Sequence, residues 1–238
     1  MTGSEAGPEK DPGTGQPEVN DGGTAGPRVI GEVQSVNVGV PRLVEHRGHQ
    51  KRTAIWKQPL PGRVAVRGAN LIGDDQADRQ LHGGTDKAVY AYSCLDYDWW
   101  ATELGRRLEP GTFGENLTLG GVDLSAAVVG ERWLVGTAVL EVCQPRTPCW
   151  KLGLRMGDQG FPARFTTAGR PGAYLRIARE GEVGAGDEVV AFHRPTHGVT
   201  ISLVNRARRD PSLAPALLAA PELPAHILAW AAEQAHRG

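Results

Sequence analysis

The chain has 238 residues, with 32 glycines, 17 prolines and 40% hydrophobic residues, a composition of many turns and short strands rather than a helical bundle. A formal net charge of -1 gives no electrostatic footprint for a nucleic acid or a membrane surface. Its three cysteines, Cys94, Cys143 and Cys149, include no C-x-x-C pair, which argues against a disulfide framework or a four-cysteine iron–sulfur cluster and for a reducing cytoplasm.

Residues 1–27 are rich in Gly, Pro, Glu and Asp and nearly free of large apolar side chains. They cannot bury enough surface to offset the entropy of ordering, so a disordered tail is expected. With neither a basic start nor an apolar run, the segment is no secretory signal, and nowhere is there a run long enough to span a membrane.

From Arg28 onward the pattern is that of strands. RVIGEVQSVNVG alternates loosely, and GRVAVRG and DKAVYAY more clearly. SCLDYDWWATELG predicts a helix with Ser93 at its cap and Gly105 as its stop. ERWLVGTAVLEVC predicts a hairpin turning at Gly136-Thr137, and GAYLRIAREGEVGAGDEVVAF a second hairpin-like pair around its glycines. Short strands at this spacing predict a mainly β fold over residues 28–197, a closed or nearly closed β-barrel rather than a parallel α/β sheet. Residues 198–238 predict a small C-terminal α-helical appendage of three short amphipathic helices, with Asp210-Pro211 as a cap and Pro221 and Pro224 as separators. So short a segment needs the barrel to pack against.

Three stretches carry candidate chemistry. In VCQPRTPCWKL, Pro145 and Pro148 stiffen a loop that places Cys149 between Arg146 and Lys151. A nearby cation favours thiolate, the form that ligates metal, yet most cysteines are inert packing groups, and the residues alone leave both readings open. In RQLHGGTDKAVYAY, His82-Gly83-Gly84 precedes a strand, so it is no strand–helix phosphate loop. Paired glycines permit close approach of a ligand to backbone beside His82 and Lys87, although for these residues alone an ordinary tight turn with solvated charges is the favoured reading. In GTFGENLTL, Asn116 offers a donor and an acceptor suited to a heterocycle edge, and again a plain turn would suffice. No Rossmann, P-loop, zincin or serine-hydrolase motif is present.

Taken in order, LHGGTDKAVYAY, FGENLTLGGVD and VCQPRTPCWKL resemble the MOSC domain, named for the molybdenum-cofactor sulfurase C-terminus, and in particular its small bacterial 6-hydroxylaminopurine reductase branch. SLVNRARRD…LPAHILAWAAE resembles the three-helix segment appended in that branch. The resemblance covers roughly residues 28–232; Thr85 stands where many relatives have proline, and the tail has no counterpart.

The resemblance implies a barrel of the pyruvate-kinase-barrel kind that holds a molybdenum cofactor (molybdopterin), with Cys149 as protein ligand to the metal. It implies Arg67, Lys87, Arg146 and Lys151 for the cofactor's phosphate and pterin. His82, Gly83, Asn116 and Gln144 follow as further pocket contacts, with His82 as a catalytic proton donor beside Cys149. The implied reaction is reduction of small N-hydroxylated substrates, with electrons from a separate flavin or iron–sulfur reductase. The alternative it leaves is a sulfur carrier bearing a persulfide on Cys149 and working with a pyridoxal-phosphate-dependent sulfurase.

Overall fold

The structure, a computed structural model, describes residues 26–74 and 84–237. The expected tail, Gly26 and Pro27 excepted, lies outside the described residues. The chain first forms β1 (Arg28–Val38), β2 (Arg42–His46), β3 (His49–Thr53), β4 (Gln58–Pro59), β5 (Arg63–Arg67) and β6 (Asn70–Leu71). A 3-10 turn at Thr85–Lys87 leads into β7 (Val89–Ser93), α1 (Cys94–Leu104), β8 (Leu117–Gly120), β9 (Arg132–Val135) and β10 (Ala138–Pro145). Next come α2 (Trp150–Met156), α3 (Phe161–Ala168), β11 (Ala173–Arg179), β12 (Gly181–Gly184) and β13 (Glu188–His193). The chain closes with α4 (Ile201–Ala207), a 3-10 segment Pro211–Ala219 and α5 (Ala225–Ala235).

Strands β13, β9, β10, β11, β7, β8 and β1 pair side by side in that order, and β13 pairs back onto β1 to close a seven-stranded barrel. The expected barrel with a C-terminal helical appendage is what the chain forms. Its one parallel pair, β7 with β8, is bridged by α1. The loose alternation of β1 has a cause: its register slips between Val29 and Gly31 and again between Val33 and Ser35, and each bulge moves side chains to the other face. Strand β7 is buried throughout, on both faces, because the barrel interior lies on one side and an aromatic layer on the other.

Several expectations hold in detail. Ser93 caps α1 by accepting from the Leu95 N–H at 3.2 Å, and Gly105 ends it in the left-handed region. Strands β9 and β10 form the expected hairpin, with Ala138 opposite Val135.

Other expectations need correction. GRVAVRG forms β5, but outside the barrel, in a three-stranded sheet with β12 and β6. The stretch Ala173–His193 is no hairpin: β11 pairs with β10 and β7, β12 with β5, and β13 with β9 and β1. Gly181 accounts for the departure of β12. The chain crosses so close to the β9–β10 turn that a Cβ at Gly181 would lie 2.5 Å from the Ala138 nitrogen. The second C-terminal helix is 3-10 rather than α, with Pro215 inside it where an α-helix would need an N–H. Helices α2 and α3 carry no signal that sequence periodicity revealed.

The main hydrophobic core runs without a break from barrel residues such as Leu140 and Val189 into Val204, Leu217 and Ile227 of the C-terminal segment. A second core, of Tyr92, Trp100, Phe113, Phe161 and Phe165 among others, packs α1 and α3 against β7.

Candidate active site

The sheet order brings chemistry to one end of the barrel. Strands β8 and β11 start there and β1 and β10 end there, while β7 runs between β8 and β11 with Ala91 level with both Leu117 and Ala173. The loops at that end enclose a cavity of about 110 Å³, lined by Thr53, Ile55 and Lys57 before β4, Asn70 and Asp74, Lys87 and Tyr90, Asn116, and Arg146, Thr147, Cys149, Lys151 and Tyr174.

Cys149 is half-buried on this wall, at the N-cap of α2 with extended backbone. Pro145 and Pro148 bracket the loop that leads to it, as the sequence suggested. Trp150, the next residue, stacks on His46 from the tip of the β2–β3 hairpin, with ring centroids 3.9 Å apart and planes 13° from parallel. That contact leans the hairpin against the first turn of α2, beside the sulfur.

Arg146 is buried under the cavity floor. Its guanidinium donates to the Phe113 carbonyl and lies over the Tyr90 ring at 4.8 Å. Burial works against its charge, but it stays cationic, and it is within electrostatic reach of the Cys149 sulfur, where a cation favours thiolate.

Asp74 organises the opposite wall. One of its oxygens accepts from the Gly39 N–H at 2.8 Å; the other accepts from the Asn116 amide at 2.9 Å and from the Lys57 ammonium. Both partners of the Lys57–Asp74 ion pair are buried, at 8% and 3% side-chain exposure, so loss of either would strand a charge out of water. Burial pulls the Lys57 pKa down, and Asp74 opposes that pull. The rest of the Asn116 amide is also used: its oxygen accepts from the Tyr90 N–H at 3.0 Å, and its nitrogen donates to the Asn37 carbonyl at 3.3 Å. Asn116 therefore ties β1, β7 and Asp74 together at the cavity wall.

The residues expected from the sequence separate into three groups. Cys149, Lys87, Asn116, Arg146 and Lys151 share the one cavity. Arg67 is exposed and lines an adjoining cavity of about 420 Å³, which shares Asn70 and Asp74 with the first. Gln144 is buried at the end of β10, where its amide donates to the Asp86 carbonyl at 3.3 Å, and it does not line the cavity. His82 and Gly83 lie outside the described residues. Lys57, Asp74, Tyr90, Thr147 and Tyr174 line the cavity without having been singled out from the sequence. Lys57 and Asp74 belong to no motif, and the tyrosines fall within stretches read as strands.

Comparison with known proteins fixes the family. A MOSC domain model matches residues 78–190. The uncharacterised protein YflK of Bacillus subtilis is 36% identical over 174 residues, which cover 73% of this chain and 79% of that protein. The chain belongs to the MOSC domain family. A protein named only as a reductase, from Gibberella moniliformis, is 32% identical over 178 residues, and the chain spans 31% of its length. The crystal structure of YiiM from Geobacillus stearothermophilus superimposes with a TM-score of 0.70 at 28% identity, covering 85% of this chain and 98% of that one.

MOSC domains as a family are associated with molybdenum-cofactor binding. The donor chemistry of this cavity suits such a group. One soft sulfur is available to a metal, and the basic side chains suit a phosphate. The Asn70 Oδ1, also at the wall, is a buried acceptor with no partner among the described residues, as a pterin N–H would require. Among the described residues no three His, Cys, Asp or Glu side chains converge to hold an ion.

Proposed function

We propose that this protein is a molybdenum-cofactor-dependent reductase of small N-hydroxylated compounds, hydroxylaminopurines among them. In the overall reaction an N–OH group takes up two electrons and two protons, its N–O bond breaks, and an N–H group and water form. The observation that carries the reading is the half-buried Cys149 thiol on the wall of a cavity that Lys57, Lys87, Arg146 and Lys151 also line. The membership of the chain in the MOSC family and the named reductase among its relatives support it.

In this reading Cys149 holds the metal, and Lys87, Arg146 and Lys151 hold the cofactor's phosphate and pterin. When bound, the cofactor supplies the redox chemistry. The protein's own work is to fix the sulfur through the proline-bounded loop, to hold Asn116 and Lys57 through Asp74, and to deliver protons, for which His82 is the candidate. The chain has no flavin or nicotinamide fingerprint, so the electrons come from a separate flavin or iron–sulfur reductase in transient contact. The setting is cytoplasmic.

The test is metal analysis of protein made in a host that produces the cofactor, beside Cys149→Ala. Stoichiometric molybdenum in the wild type, its loss from the variant without a change in thermal unfolding, and reduction of 6-hydroxylaminopurine with an artificial donor are the expected results. A persulfide on Cys149 without molybdenum would overturn the reading in favour of a sulfur carrier. Neither metal nor persulfide would leave an inert barrel.

A further inference from the structure

Arg208 sits just past the end of α4, and its guanidinium donates to the Thr147 hydroxyl, a group at the wall of the Cys149 cavity. Among the described residues it has no carboxylate partner in any ion pair. Its side chain is exposed at the surface, yet its surroundings desolvate it enough to pull its pKa down, with no acid to offset that effect. An arginine held this way favours the arrival of an anion, because a guanidinium matches two oxygens of a phosphate or carboxylate at once.

Beside it a groove of about 290 Å³ runs between α4 and α5, with Val204 and Ile227 as an apolar floor and Arg208, His226 and Trp230 around it. The Arg208–Thr147 contact links this groove to the wall of the Cys149 cavity. Besides the Arg208–Thr147 contact, Lys87 of the cavity lies within electrostatic reach of His226, whose pKa burial lowers first and the Lys87 and Arg208 charges lower further, against a smaller opposing effect of Asp86. Basic groups of the barrel and of the C-terminal segment thus lie to either side of the Arg208–Thr147 contact, and Trp230 gives the groove an aromatic wall. In the reading above Arg146, Lys87 and Lys151 of the cavity hold the cofactor's phosphate and pterin. Arg208 stands outside the cavity, where a second phosphate would lie.

We propose that the α4–α5 groove is a substrate subsite for a phosphate held by Arg208, and that the substrate is an N-hydroxylated purine nucleotide in preference to the free base. The inference rests on the reductase reading above and specifies its substrate. The base lies at the mouth of the Cys149 cavity with its N–OH group turned inward, and the sugar phosphate extends past Thr147 to the guanidinium, with Trp230 packed against the sugar.

The test is calorimetric titration of the full chain, loaded with cofactor, using adenosine monophosphate and adenosine as probes. The monophosphate is expected to bind at least about tenfold more tightly than the nucleoside. Arg208→Gln is expected to erase that difference while leaving adenosine affinity and molybdenum content unchanged. Trp230→Ala should weaken both probes. Equal affinities in the wild type, or a nucleotide preference that survives Arg208→Gln, would overturn the subsite. So would loss of molybdenum from Arg208→Gln, which would assign the guanidinium to the cofactor's own phosphate. The titration needs no turnover, so the two readings fail separately. Reduction of 6-hydroxylaminopurine without a nucleotide preference sinks the subsite alone; a nucleotide preference without any reduction counts against the reductase.

Discussion

Glu115 holds the loop between Gly111 and Asn116 through a single oxygen, which accepts from the Tyr97 hydroxyl at 2.5 Å, the Gly111 N–H at 2.7 Å and the Thr118 hydroxyl at 2.9 Å. Its other oxygen is buried without a partner among the described residues. Burial is the main cause that raises its pKa above the ordinary 4.5, and the hydrogen bonds only partly restrain it. The folded chain therefore keeps this proton at pH values where the unfolded chain has released it. The stabilisation is complete below the unfolded value and is lost as pH rises through the folded one. Glu115→Gln removes the titration. Between about pH 5 and about pH 8 the melting temperature of the wild type should fall relative to the variant. A gap between the two proteins that stays constant across that range, measured by calorimetry, would mean the group titrates alike folded and unfolded. At this scale the sequence showed Cys149 and its basic neighbours, because prolines, charges and a thiol within one short stretch are visible in one dimension. Asp74 and Lys57 were invisible: each has meaning only once the barrel sets it against Asn116, 42 residues from Asp74.

Single backbone positions decide how the elements meet. Gly172 precedes β11 with φ of 64°, in the left-handed region, and a Cβ there would lie 2.5 Å from the Ala91 carbonyl oxygen and 2.8 Å from the Tyr92 ring. The close approach lets β11 start flush against β7, which places Tyr174 at the cavity. Gly172→Ala adds left-handed strain and an overpacked contact, together about 2–4 kcal/mol, or a fall of roughly 5–10 °C in melting temperature. A variant that melts within a degree or two of the wild type would show that the junction tolerates a side chain. The elements that sequence reading found were those whose ends are marked locally: α1 by Ser93 and Gly105, and the β9–β10 hairpin by Gly136-Thr137. Those it missed or misjoined depend on distant partners. Strand β12 leaves its neighbours for β5, which lies more than a hundred residues earlier, and α2 carries Gly153 inside a helix of only seven residues, too short for a periodic signal.

Across the molecule, the barrel and the C-terminal segment share one interior. Arg176 of β11 donates to Asp86 at 2.7 Å, Glu141 at 3.0 Å and the Glu222 carbonyl at 2.7 Å, so one side chain joins the turn before β7, strand β10 and the C-terminal segment. Below that junction Leu217, fully buried in the 3-10 segment, belongs to the same hydrophobic core as the barrel residues Leu140 and Val189. A segment of this size has too little interior of its own to fold alone, so its stability is drawn from the barrel, and part of the barrel's from it. Leu217→Ala should cost about 2–5 kcal/mol and lower the melting temperature by roughly 5–15 °C, as a single cooperative transition. Calorimetry resolves the alternative. If the variant showed two transitions, with the larger one at the wild-type temperature, the segment would be a separate folding unit. The α4–α5 groove could then shift without disturbing the Cys149 cavity. A single, uniformly lowered transition means instead that the segment carrying Arg208 is held by the same interior as β10, the strand that leads to the Cys149 loop.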